Sequence, residues 1–301
     1  MNPNEVDNII FQDPKKTFME ILKVHNKEVP FANLLAFFFR PKEIHKLGTL
    51  FIDSLLETKR TNISKDKTEN IIPTKPIPVY DEKSVEVKVE QKTINDNRID
   101  LLIVTNTFVI CIEFKINHDL DNPLDDYKTF IEKHYSERKQ FYFILTPFKK
   151  DPIGNAEKYF KEHNEFKQII LSHFVKTVKH NLQNTFGNLQ EKNEYYHYFN
   201  EFIETVDNRK IRSLRRITLN KLSDKLNKSI LNKGLESKYH LNNQGGFLEI
   251  KKDQKALKIR IKPKGWQIEK WKNNAKYLSD TEIKSTDLIA KIEESISAFF
   301  Y

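Results

Sequence analysis

A single cysteine and only seven glycines stand in the 301 residues. Cys111 alone closes no internal disulfide, and no Cys/His spacing has the form of a zinc site. A reducing, cytoplasmic setting is the economical expectation. So few glycines argue against long flexible linkers. Long apolar runs are missing as well. The longest, Phe31–Phe39 with Asn33 inside it, falls far short of the roughly 20 residues a spanning helix needs. The opening Met1-Asn-Pro-Asn-Glu-Val lacks the basic start and apolar segment of a signal peptide. The expectation is a soluble protein with no membrane partner. Repeats, low-complexity tracts and known DNA-reading motifs are absent too.

What is present is charge and aromatic bulk. Formal net charge is +9, and 22 Phe with 11 Tyr supply core volume. A basic excess attracts polyanions, nucleic acid first and an anionic surface second. A lysine-rich solvated surface explains the same excess, so charge alone does not decide.

The most informative stretch is Arg98–Lys115. Leu101–Val104 and Phe108–Ile112 read as strands buried on both faces, joined by a turn at Thr105-Asn-Thr107, where Asn tolerates left-handed backbone. With Asn106 and Thr107 as the loop, paired positions sum to 213 and Asp100 lies opposite Glu113. Opposite residues share a face, and Lys115, two residues on, points the same way. A loop one residue different would shift this register. Two adjacent carboxylates suit a hard divalent ion such as Mg²⁺, and a neighbouring lysine can orient water or offset charge on a phosphate. The competing reading is a structural ion pair, with Lys115 neutralising Glu113 at a strand end. On Asp-x(12)-Glu-x-Lys spacing alone that reading is preferred, because such short patterns recur by chance.

The surroundings add a likeness. Arg98-Ile-Asp100 and Ile112-Glu-Phe-Lys115 in the centre resemble the active-site strands of the PD-(D/E)XK nuclease superfamily. Upstream, Asn33-Leu-Leu-Ala-Phe-Phe-Phe-Arg-Pro41, His45, Gly48 and Phe51–Leu56 resemble that group's N-terminal helical region. Downstream, Leu124-Asp-Asp-Tyr127 and Gln140–Pro147 are similar to its flanking helix and fourth strand. The likeness spans residues 30–180. It implies an α/β fold: a restriction-endonuclease-like core, in which a central mixed sheet is flanked by helices, with a helical N-terminal region and a C-terminal α+β extension. It implies a Mg²⁺-dependent endonuclease acting on DNA, with Mn²⁺ as a substitute ion and RNA left open. Asp100, Glu113 and the backbone carbonyl of Phe114 become metal ligands, and Lys115 the lysine beside the attacking water. Glu90 takes the place of a further acidic residue, with Glu86 its rival at spacing four. His45 matches a recurring histidine. Two positions depart from the pattern: Arg40 stands where an Asp is usual, and Pro123 where many relatives have a Gln that helps hold the site together. A catalytically silent nucleic-acid-binding or interaction subunit on the same fold is the alternative. A homodimer or a larger restriction or antiviral-defence complex stays open.

Four regions are expected: a helical region at 1–58, an extended connection at 59–80 (Pro73, Pro76 and Pro78 follow a lysine-rich start), the nuclease core at 81–182, and an α+β region at 183–301 serving substrate recognition or dimerisation. Helical spacings run through residues 14–58, broken by Pro30 and Pro41. Strands are expected at Val85–Lys92 and Phe141–Leu145, and helices at Asp125–Glu137, Leu171–Leu182 and Leu288–Phe300. In Arg209–Leu222, Ile211, Leu214 and Leu222 can face inward. Arg209, Lys210, Arg212, Arg215, Arg216 and Lys221 then line the other sides, either along a phosphate backbone or as an ordinary solvated face. The alternating segments 246–251, 256–262 and 265–271 read as a half-exposed antiparallel sheet with Leu257, Ile259 and Ile261 on one face.

Overall fold

The computed structural model describes residues 3–25, 27–64, 78–116, 119–187, 194–230, 234–241 and 246–301. They form two compact units, residues 16–206 and residues 1–15 with 207–301.

The first unit is built on a five-stranded sheet in chain order, β1 (Glu86–Lys92), β2 (Arg98–Val104), β3 (Phe108–Phe114), β4 (Lys139–Thr146) and β5 (Phe166–Ile170). Pairing is antiparallel from β1 to β3 and parallel from β3 to β5, so the sheet is mixed. Every residue of β3 is buried, as expected of a central strand covered on both faces. On one face Leu101, Ile103, Ile110 and Ile112 pack with α3 (Glu28–Phe39), α4 (Leu50–Ser64) and α7 (Leu171–Phe186). Phe38 stacks on Phe51 at 4.7 Å there, and Asn181 of α7 donates to Ser54 and Glu57 of α4. On the other face Leu102, Val104, Val109 and Cys111 meet α5 (Leu124–His134) and α6 (Gly154–Glu162). The stripe Tyr127, Phe130, Ile131 of α5 is core, and His134 lies exposed against Phe130.

Several boundaries differ from expectation. Residues 14–58 hold α2 (Phe18–Ile21), α3 and α4, with the expected break at Pro41 and none at Pro30. Pro30 lies inside α3, in its first turn, where a missing N–H forfeits no helical bond. Helix α4 continues to Ser64, six residues into the expected extended connection; 65–77, with its three prolines, lies outside the described residues. The hairpin turn is closed by Thr105, whose Oγ1 accepts from the N–H groups of Thr107 and Phe108. Asn106 is not among the described residues with positive φ. Its side chain instead accepts from the Asp81 N–H.

In the second unit an antiparallel meander, β6 (Glu236–His240) to β10 (Ala275–Ile283), runs in the order β10-β9-β8-β7-β6, with β7 Phe247–Lys252, β8 Lys255–Lys262 and β9 Gly265–Lys272. One face, including Leu257, Ile259 and Ile261, packs with Leu219, Leu222 and Leu226 of α8 (Tyr196–Ile230) and with α9 (Leu288–Phe300). Helix α1 (Pro3–Ile10) adds Ile10 to the same core. No glycine or proline interrupts residues 196–230, and α8 is continuous for 35 residues. Its basic stretch needs one correction. Arg215 does not line a solvated side: it is buried and donates to the carbonyls of Ile10 and Gln12. Among the described residues no helix is long and apolar enough to cross a membrane.

Candidate active site

The register of β2 and β3 pairs Leu101 with Ile112 and Leu102 with Cys111, so paired positions sum to 213. One step further, Asp100 falls opposite Glu113, on the face covered by α5. Asp100 Oδ2 accepts from the Phe114 N–H at 2.7 Å. Lys115 Nζ reaches Glu113 Oε1 at 2.7 Å and Glu28 Oε2 at 3.5 Å. Asp100, Glu113 and Lys115 are therefore brought to one end of the central strands. The Phe114 backbone lies between the last two.

Burial sets the electrostatics. It pushes Glu113, only 2 % exposed, well above the carboxylate range; Asp100 adds to this, while the charge and hydrogen bond of Lys115 oppose it. Burial also lifts Asp100 to about 6; the Phe114 N–H and Lys115 pull it down, while Glu28 and Glu90 push it up. Burial draws Lys115 down, but Glu113, its hydrogen bond, Glu28 and Asp100 outweigh this and hold the ammonium above its ordinary value.

Two contributors were missed by sequence reasoning. Glu28, in the first turn of α3, receives the Ile116 N–H at 3.0 Å besides facing Lys115. Asn122 Nδ2 donates to Glu113 Oε1 at 2.6 Å. It lies one residue before Pro123, which takes the N-cap position of α5. A side-chain amide thus reaches the acidic strand despite the missing Gln. For Glu28 no spacing rule gives a signal, since its partners lie more than 80 residues away. For Asn122 the signal was a carboxamide beside the position where one is usual.

The remaining candidates separate. Val89 and Gln91 pair with Leu101 and Ile99, which sets Glu90 opposite Asp100, whereas Glu86 pairs with Val104 four residues away. Glu90 has φ +52, left-handed in mid-strand, and its Oε2 accepts from Arg98 at 3.2 Å. The hairpin carrying it is anchored by Asp126 of α5, which accepts from Thr93, Asn95 (2.6 Å) and Asn97 (2.8 Å). His45 is buried, with its ring against Phe37 and Phe38; it contacts the Phe37 carbonyl and accepts from the Leu47 N–H. That is a structural employment. Arg40 pairs with Glu43 and reaches the Val87 carbonyl.

Among the described residues no group of three or more His, Cys, Asp or Glu is arranged to hold a metal. The donor chemistry, carboxylate oxygens beside a backbone carbonyl, is nonetheless the kind a hard divalent cation takes. Glu113 Oε2 is buried without a hydrogen-bond partner. Beside it stands Asp100, a second carboxyl lifted by burial, and a cation would engage the open Glu113 oxygen and offset the charge of both.

The sequence profile of the PD-(D/E)XK nuclease superfamily matches residues 17–212, well over half of the chain. No curated protein and no solved structure matches it.

Proposed function

Because the chain belongs to the PD-(D/E)XK nuclease superfamily, we propose that it is a metal-dependent endonuclease hydrolysing DNA phosphodiester bonds. The family is one of nucleases, typically divalent-metal enzymes with nucleic-acid substrates. The observation that carries the reading is the buried Glu113–Lys115 pair beside Asp100, with one Glu113 oxygen left without a partner. A functional site tolerates such a group; a structural ion pair would satisfy it.

Asp100 and Glu113 would hold the ion, with the Phe114 carbonyl and Glu90 as further ligands. Mg²⁺ is the natural ion for this oxygen set, with Mn²⁺ able to replace it. A divalent ion held there would supply Lewis acidity and make water a better nucleophile at neutral pH. Lys115, kept protonated by its carboxylates, orients the attacking water and offsets charge developing on the phosphate. Asn122 and Glu28 fix the positions of Glu113 and Lys115. Restriction or antiviral defence is the role suggested by family habit, and a dimer would place one site on each strand of a duplex.

Two contacts favour the silent-subunit alternative: Lys115 already occupies Glu113 Oε1, and Glu90 is tied to Arg98. Supercoiled plasmid incubated with Mg²⁺, Mn²⁺ or EDTA separates the two. Nicking or linearisation that needs the metal and disappears in Asp100→Asn supports the nuclease. Cleavage at the wild-type rate by the repurified variant would remove the site assignment. Intact plasmid under every ion, with salt-sensitive binding retained, supports the silent module.

A further inference from the structure

Charge is divided unevenly along the chain. Residues 207–301 hold 22 Lys and Arg against 11 Asp and Glu, a net +11, while residues 1–206 hold 29 against 31, a net −2. The excess therefore lies almost wholly outside the sequence containing Asp100, Glu113 and Lys115.

Strand register concentrates part of it at one end of the C-terminal sheet. In the meander, the β7–β8 and β9–β10 turns fall at the same end, and the Asn273 N–H donates to the Gln254 carbonyl across them at 3.0 Å. This brings together Lys251, Lys252 and Lys255 from one hairpin and Lys270, Lys272 and Lys276 from the other. The carboxylates nearby are Asp253 in the turn, Glu236 opposite Lys251, Glu294 of α9, whose charge faces Lys270, and Glu269, which holds Lys276 at 3.2 Å. Several ammoniums are fixed in place. Lys255 donates to the Phe299 carbonyl at the end of α9, and Lys252 lies 4.3 Å from the Tyr301 ring centre. Fixed cations lose less freedom on meeting a partner.

We infer that this end of the sheet is a contact surface for duplex DNA. A polyanion is the complement of six lysines. The shape selects among polyanions. Four neighbouring strands make an edge roughly 14 Å wide, and one β-hairpin fits a B-DNA major groove about 12 Å wide. The A-form major groove of duplex RNA is too narrow for side chains to read. One hairpin enters the groove while lysines of its neighbour meet the flanking phosphates. Asn273 and Asn274, exposed and left-handed at φ +51 and +62, form the tip of the β9–β10 hairpin. Their amides are of the type that pairs with adenine edges. The inference takes only the substrate class from the nuclease reading.

The test is equilibrium binding by the full chain in EDTA, so that no turnover is required. The probes are a 20-base-pair DNA duplex, an RNA duplex of the same sequence and vesicles containing phosphatidylserine. Lys251→Ala/Lys252→Ala/Lys272→Ala should weaken DNA binding at least tenfold and flatten the log–log salt dependence by about 2–3. Arg216→Ala/Lys221→Ala/Lys225→Ala, which removes equal charge from exposed positions of α8, should change affinity no more than a few-fold. Equal losses in the two triple variants, no loss in the first, or RNA or vesicles bound as tightly as DNA would each overturn the inference. Should the first triple fail to fold, Lys251→Gln/Lys272→Gln at two exposed positions gives the same reading with a slope change of about 2. A protein that binds through this edge but never cleaves would refute the nuclease proposal and leave this one standing.

Discussion

Replacing Asp100 with Asn should stabilise the metal-free protein at neutral and higher pH, although it removes a proposed ligand. Burial holds this carboxyl at about 6 in the fold, against an ordinary value of 3.8. Between those values the folded state binds more protons than the unfolded chain. Stability therefore falls as pH rises from about 4 to about 6 and stays lowered above; the full difference is about 3 kcal/mol. Asn carries no charge and keeps an oxygen for the Phe114 N–H, and the carboxylate's stronger hold on that N–H is already contained in the value of about 6. The net expectation is a gain of about 3 kcal/mol at pH 8 that falls to near zero below pH 4. Urea unfolding in EDTA across pH 4–8.5 measures it. Repeating the series with millimolar Mg²⁺ should restore stability to wild type and not to the variant, because a ligand that binds only the folded state stabilises it. A variant less stable at pH 8, or a difference independent of pH, would show that burial of Asp100 carries no such penalty.

Three other sites give independent checks. At Glu90, φ +52 favours glycine, so Glu90→Gly should be more stable than Glu90→Ala by about 1 kcal/mol in thermal melts; the reverse order would argue against strain. Asp126→Ala leaves the donors of Thr93, Asn95 and Asn97 without their acceptor and should lower stability by about 2 kcal/mol. Amide exchange at residues 96–98 should speed up first. Glu165 is held at about 2 by its hydrogen bonds with Lys128 and Tyr159. Its contribution is present above the unfolded value near 4.3 and lost as pH falls toward 2. The acid limb of a melting-temperature profile should therefore be shallower in Glu165→Gln, and an unchanged limb would discount the pair.

What could be read from the sequence was local. Unbroken Val/Ile/Leu/Phe runs around a two-residue turn gave the strands, and their register followed from counting. Leu288–Phe300 was legible because its apolar spacing is helical. What escaped depends on partners distant in the chain. Glu28 and Asn122 reach Lys115 and Glu113 only after folding, and neither obeys a short spacing. Arg215 was misplaced because helical periodicity cannot anticipate that carbonyls near residue 10 will receive its guanidinium. Strand β10 was overlooked since most of it is exposed and shows no alternation. Glu90 carries no composition cue for a left-handed backbone.

Cys111, buried in β3 and the sole thiol of the chain, offers a kinetic readout of the site itself. Burial first, then Glu113 and Asp100, push its pKa well above that of an ordinary thiol, so in the closed strand it resists alkylation. Labelling waits on an opening of β3, and its rate reports how often the strand bearing Glu113 separates from its neighbours. A divalent ion that bridges β2 and β3 would slow that rate without any substrate present. The unmodified protein thus contains an internal clock for the rigidity of its proposed catalytic centre.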